Sequence, residues 1–233
     1  MSPAKSDAVP SLLDRLTAGG AVWRGTSGAG LRTEPSGIPV LDAQLPGGGW
    51  PAGAISELLI PAHGIGELGL ALPALARLTQ AGRLAAFVAA PHLPYAPALA
   101  QAGLDLDRCL VIESKTADET VWAAEQLLRS GACGAVLAWA GKLRDADLRR
   151  LQLAAEAGNS LALLYRPLRA AGTPTLAALR LGLSLQDSRL SIEILKARGG
   201  RAGARFFADG GNPSQGPSKR MAADAGDDTP RAA

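Results

Sequence analysis

The residues best placed to do chemistry lie in one stretch, 55–72, which reads ISELLIPAHGIGELGLAL. An apolar run (Ile55, Leu58, Leu59, Ile60) leads into a loop with Pro61, Gly64 and Gly66, and Leu68, Leu72 and Leu75 then recur at helical spacing. Strand, glycine loop, helix is the layout that binds phosphate, because backbone N–H groups and a helix start converge on the anion. A working loop adds a lysine to neutralise the phosphates and a Ser or Thr hydroxyl to hold Mg²⁺. Here those two places fall on Glu67 and Leu68. A carboxylate repels a polyanion, and leucine ligates no metal. The expectation is a nucleotide-type frame with no catalytic residue, no cofactor and no metal.

Other chemistry-bearing residues are scattered. His63 lies within the loop and reads as a surface residue; His92, after Pro91, reads as a hydrogen-bonded histidine without a catalytic partner. Cys109 and Cys133 have apolar neighbours and no CxxC or Cys/His spacing, so they read as free core thiols in a reducing compartment. The run LKARGGRAGAR carries Lys196, Arg198, Arg201 and Arg205 among glycines. Mobile cations of this kind can follow a nucleic-acid backbone without reading sequence; an ordinary solvated strand end fits the same text. Lys142, Arg144, Arg149 and Arg150 are interspersed with Asp145 and Asp147 and read as a salt-bridged helix face. Trp50, Trp122 and Trp139 read as core or strand residues.

The elements that must position the loop are legible in order. SLLDRLTAGG forms a short helix with Leu12, Leu13 and Leu16 on one edge, followed by Trp23 and Arg24 and a glycine- and serine-rich stretch. This arm either docks on another protein or packs on its own domain. Val40, Leu41 and Leu45 suit a short helix, and GGG a turn. A helix is expected from about residue 67 to Gly82, then strand 84–90, a helix with Pro97 in its first turn, strand CLVIE, and a helix opened by a Thr116/Glu119 capping box. Strand GAVLAWA, a helix with Leu148, Leu151 and Ala155 on one face, and strand SLALLY follow. Nearly continuous apolar strands alternating with helices indicate a parallel sheet covered on both faces. From Leu179 the period becomes two on both sides of Gln-Asp-Ser, which predicts a half-exposed antiparallel hairpin. The organisation expected is an arm over 1–35, an α/β core over 36–208, and a disordered tail over 209–233.

At 233 residues the chain can bury a sizeable core, and the formal charge of +3 selects no partner. No apolar run reaches the length that spans a bilayer, and the first residues lack a signal core, so the expected place is the cytoplasm, with no membrane partner.

SGIPVLDAQLPGGGWPAGAISELL resembles the segment by which RecA recombinases enter their phosphate loop. VWRG, GIGEL, PHLPYAPAL, LRSGACGAVLAW, RRLQLAAEAG, LLYRP and IEILKARGG look like the ImuA family of translesion-synthesis accessory proteins, over about 11–207. The resemblance implies a RecA-like, mostly parallel sheet flanked by helices, with a C-terminal antiparallel hairpin. Carried over residue by residue, the loop lysine falls on Glu67 and the hydroxyl on Leu68. The water-activating carboxylate falls near Pro91, and the metal-holding aspartate near Ala138 to Ala140. ATP hydrolysis needs all of these functions together, so a non-catalytic adaptor of damage-induced (SOS) translesion synthesis is implied. Its partners would be an ImuB-like Y-family polymerase homologue and RecA itself, with an error-prone DnaE-type polymerase engaged indirectly. Rival readings are a cell-division inhibitor of the SulA type, which would bind the tubulin-like division protein, and a sequence-neutral DNA-binding module.

Overall fold

The computed structural model describes residues 32–208. The arm residues Leu12, Leu13, Leu16, Trp23 and Arg24, and the tail over 209–233, lie outside the described residues. Two short strands open the fold, β1 (Thr33–Glu34) and β2 (Trp50–Pro51), paired antiparallel around α1 (Pro39–Asp42). The main sheet is built from β3 (Ala54–Ile60), β4 (Leu84–Val88), β5 (Cys109–Ile112), β6 (Cys133–Trp139), β7 (Leu161–Pro167), β8 (Leu179–Gln186), β9 (Arg189–Ala197) and β10 (Arg205–Ala208). Its spatial order is β10-β9-β8-β3-β7-β6-β4-β5. Strands β3 to β8 pair parallel with their neighbours; β9 runs antiparallel to both β8 and β10.

Helices α2 (Leu72–Gln80) and α3 (Ala96–Gln101) cover one face, where Leu58, Ile60, Phe87, Leu137, Tyr165 and Leu181 meet Leu70, Ala74, Leu75 and Leu99. Helices α4 (Ala117–Arg129) and α5 (Asp145–Gly158) cover the other, where Ile55, Val88, Val136 and Leu164 meet Val121, Leu128, Leu148 and Leu151. Burying each such leucine contributes roughly 1.5–3 kcal/mol. The capping box is present as expected: Thr116 Oγ1 accepts from the Glu119 N–H at 3.2 Å, and Glu119 Oε2 accepts from the Thr116 N–H at 3.1 Å. The hairpin turns through Asp187 and Ser188, both at positive φ (48° and 60°), the conformation whose twist matches the strands it joins.

Three expectations need correction. The hairpin is half-exposed along β9 and at its turn, but the first part of β8 is buried. β8 lies between β3 and β9, so Leu179 to Leu183 are buried, Arg180 among them. The helix expected from residue 67 begins as a 3₁₀ turn (Glu67–Leu70), and α2 follows. Trp122 is 61% exposed on α4, whereas Trp50 is buried and Trp139 is stacked in the fold.

Arg180 can be buried because Glu57 lies directly across from it on β3. Glu57 Oε2 accepts from Arg180 Nε at 2.6 Å, and Glu57 Oε1 accepts from Arg166 Nη1 at 2.5 Å. All three residues are almost fully buried. Arg180 Nη1 also donates to the carbonyls of Ala171 and Thr173, which ties down the β7–β8 connection. Burial raises the Glu57 carboxyl, but hydrogen bonds and charge from Arg180 and Arg166 outweigh it and hold the pKa below its ordinary 4.5. A lowered folded-state pKa gives stability that is whole above the ordinary value and is lost as pH falls through the folded value. Glu57→Gln should therefore flatten the acid limb of stability against pH, read as urea midpoint. Removing the charge leaves two buried guanidinium groups uncompensated, at a cost of about 3–5 kcal/mol near neutrality.

Candidate functional site: a glycine loop closed by its own carboxylate

The site begins where β3 ends. AISELLI is buried at all seven positions because β7 and β8 flank it and helices cover both faces. A strand so fixed delivers its C-terminal end, and loop 61–66, to one place at the edge of the sheet. Gly64 and Gly66 adopt φ of 83° and 94°, and a Cβ built on either meets nothing within 4 Å. These glycines are thus present for left-handed backbone and not for close packing. The positive φ at Gly66 turns the chain into Glu67–Leu70, and Pro73 in the first turn of α2 continues the helical direction.

Glu67 points back into the loop. It is 6% exposed, and its Oε1 accepts from the Gly64 N–H at 3.0 Å. An amide that a phosphate-binding loop would turn toward its anion is here taken by a carboxylate of the same chain. Leu68 packs half-buried against the core on the α2 side, where a metal-holding hydroxyl would be needed. Beside it, Tyr165 on β7 and Trp139 on β6 stack, with ring centroids 4.6 Å apart and planes 10° from parallel. Burial, and then the nearby Glu67 carboxylate, push the Tyr165 hydroxyl far up, so it stays neutral at any physiological pH. The end of β6, where the metal-holding aspartate was carried over, holds buried Ala138, Trp139 and buried Ala140, and the Ala140 N–H donates to the Tyr165 carbonyl at 3.0 Å. Pro91 and His92 are exposed beyond β4, and His63 is exposed in the loop. Gly64, Gly66, Glu67 and Leu68 are thus together, and the positions of metal binding and water activation carry no carboxylate.

The basic run is a separate place, on β9 and the turn after it. Lys196 Nζ donates to the Thr175 carbonyl at 2.8 Å, Arg198 Nη2 to the Leu176 carbonyl at 3.4 Å, and Arg205 pairs with Glu193 at 2.8 Å. Burial, then the charges of Arg198 and Arg180, lower the Lys196 pKa. Arg201 is exposed. The Arg144 helix end is salt-bridged as expected, to Asp147 at 2.8 Å and Asp118 at 3.0 Å, and Arg150 pairs with Glu125. Both cysteines are free thiols, Cys133 buried and Cys109 half-buried. Sequence reasoning missed the Glu57, Arg166 and Arg180 cluster; the signal was a glutamate inside an otherwise apolar strand.

Comparison with known proteins places this loop inside a recognised region. A family model described as cell division inhibitor SulA matches residues 53–162, from the approach to β3 to the start of β7. The SulA of Edwardsiella piscicida is 37% identical over 101 residues, 43% of this chain and 60% of that protein. The RecA of Bacillus licheniformis is 39% identical over 108 residues, 46% of this chain and 30% of that protein. The crystal structure of SulA from Pseudomonas aeruginosa aligns at 29% identity with a TM-score of 0.42, covering 50% of this chain and 99% of that one. The chain is SulA-like and RecA-like. It spans 60% of the SulA relative and 30% of the RecA relative, and the ImuA assignment is finer than these matches reach.

The loop geometry carries a prediction. Glu67→Ala releases the Gly64 amide, and the loss should be about 1–2 kcal/mol in urea unfolding. Faster hydrogen exchange should appear at Gly64 before it appears in β3. Unchanged exchange at Gly64 would show that the carboxylate does not hold the loop.

Proposed function

We propose that this chain is a non-catalytic, RecA-like protein of the SOS response that acts by binding another protein. The observation that carries the reading is the Glu67 carboxylate on the Gly64 amide, an internal anion in the place of a nucleotide phosphate. A triphosphate would have to displace it against like charge and then find no hydroxyl for its metal. A scaffold whose loop is occupied by itself retains its surfaces for contact.

The comparisons support cell-division inhibition better than any other specific reading, because the SulA description spans β3, the loop and β6 together. On this reading the chain binds the tubulin-like division protein and blocks its assembly. A second reading is favoured by what lies beyond residue 162: β8, β9 and β10, with Arg180 reaching back to Glu57, form a structured continuation past the SulA match. LLYRP and IEILKARGG, two of the ImuA-like blocks, fall in or after β7. On that reading the chain is a translesion adaptor that contacts an ImuB-type polymerase homologue and RecA.

The two separate in one experiment. Full-length protein is added to the polymerising division protein and, in parallel, offered to immobilised ImuB-type homologue and RecA. Loss of polymer light scattering near equimolar addition supports the inhibitor reading; capture by the ImuB-type homologue or RecA without loss of scattering supports the adaptor. Neither response rejects both. Repeating the capture after deletion of residues 1–31 assigns the contact to the arm if binding alone is lost.

A further inference from the structure

A row of charged side chains crosses four adjacent strands next to the β7–β8 connection. Arg180 on β8 stands opposite Glu57 on β3 and opposite Lys196 on β9, and Arg166 on β7 stands opposite Leu59, two residues on from Glu57. Side chains alternate along a strand, so these residues share one face of the sheet.

Their charges do not balance. Glu57 already accepts from Arg166 Nη1 and Arg180 Nε. Half-buried Lys196 and exposed Arg198 bring two more cations, and exposed Arg169 on the connection a third. No acid lies in β7, in the connection 168–178 or in β8. The one acid of β9, Glu193, accepts from Arg205 at 2.8 Å. Carbonyls of the connection take part of the excess: Ala171 and Thr173 accept from Arg180 Nη1, Thr175 from Lys196 Nζ, and Leu176 from Arg198 Nη2. A carbonyl carries only partial charge, so the excess stands. Two donors have no partner at all, Arg180 Nη2 and Arg166 Nε, on residues 4% and 5% exposed. Leaving a buried donor of a charged group unpaired is costly. Burial, then the charges of Arg198 and Arg180, lower the Lys196 pKa, and Glu57 alone opposes them. The place is short of negative charge.

A compact oxyanion supplies full charge and several acceptors in one group. We propose that Arg180 and Lys196, with Arg198 on the solvent side, bind one small oxyanion of the inorganic phosphate class at the connection. Residues 171–174 and 176 are exposed, so the ion enters from that side and displaces the Thr175 carbonyl from Lys196. A nucleic-acid backbone carries the same group, but on a chain too bulky to follow Arg180 into the fold. The site does not depend on which protein partner the chain has.

The test adds millimolar phosphate to the full chain in a constant chloride background, too dilute for general salting effects. The urea midpoint should rise and saturate, and calorimetric titration with phosphate should give saturable heat. Lys196→Gln and Arg198→Gln should each weaken phosphate binding at least about tenfold. Both leave the Glu57–Arg180 pair in place, and their unfolding transitions in chloride show that they are folded. Arg201→Gln, outside the row, should bind phosphate as the native chain does. A midpoint that phosphate does not move would overturn the proposal. So would binding that survives both row variants, binding that Arg201→Gln also removes, or tighter binding of a single-stranded oligonucleotide than of phosphate.

Discussion

The loop depends on one contact: a carboxylate from residue 67 accepts the amide hydrogen of residue 64 across a turn of two left-handed glycines. The contact satisfies a backbone donor that the turn leaves unpaired, and it puts negative charge where a nucleotide would bring its own. Both effects follow from the same side chain. A lysine there would leave the amide for an outside anion; a glutamate ends the need for one. The loop is thereby a finished structural element, with Leu68 packed toward the core and the Trp139–Tyr165 stack beside it.

A second constraint holds the frame in which that contact sits. β3 is the middle of the sheet and carries Glu57, whose carboxylate takes two arginines from the strands on either side. An ion cluster of this kind is costly to bury and more costly to break. Its effect is register: Glu57 faces Arg180 across one ladder and lies two residues from Leu59, the partner of Arg166 across the other. The cluster joins the part of the chain that resembles SulA to the strands that lie beyond that match. β8 to β10 are therefore integral to this sheet and not an appendage to it.

Much of this was legible in the sequence because it rests on local signals. The capping box at Thr116, the apolar face of α5 and the turn at Asp187 need only their neighbours, and each formed where its residues indicated. The substitution of Glu67 and Leu68 in a glycine loop was equally plain. What the sequence did not show depended on sheet order. Arg180 alternates with leucines, which reads as a solvated face, yet β8 is an interior strand and a partner more than a hundred residues away neutralises the arginine. Lys196 and Arg198 fitted a mobile basic run and a solvated strand end alike, and both are tied to carbonyls of the β7–β8 connection. Trp122 read as core by its chemistry and lies outside it by its place on α4. Periodicity reports which residues share a face; it does not report what covers that face.

The most direct test is calorimetric titration of the full chain with ATP and Mg²⁺, alongside Glu67→Lys combined with Leu68→Thr, which returns the missing cation and hydroxyl to the loop. The account predicts no binding heat for the native chain and measurable nucleotide binding for the double variant. Nucleotide binding by the native chain, or ATP turnover by a clean preparation, would contradict it.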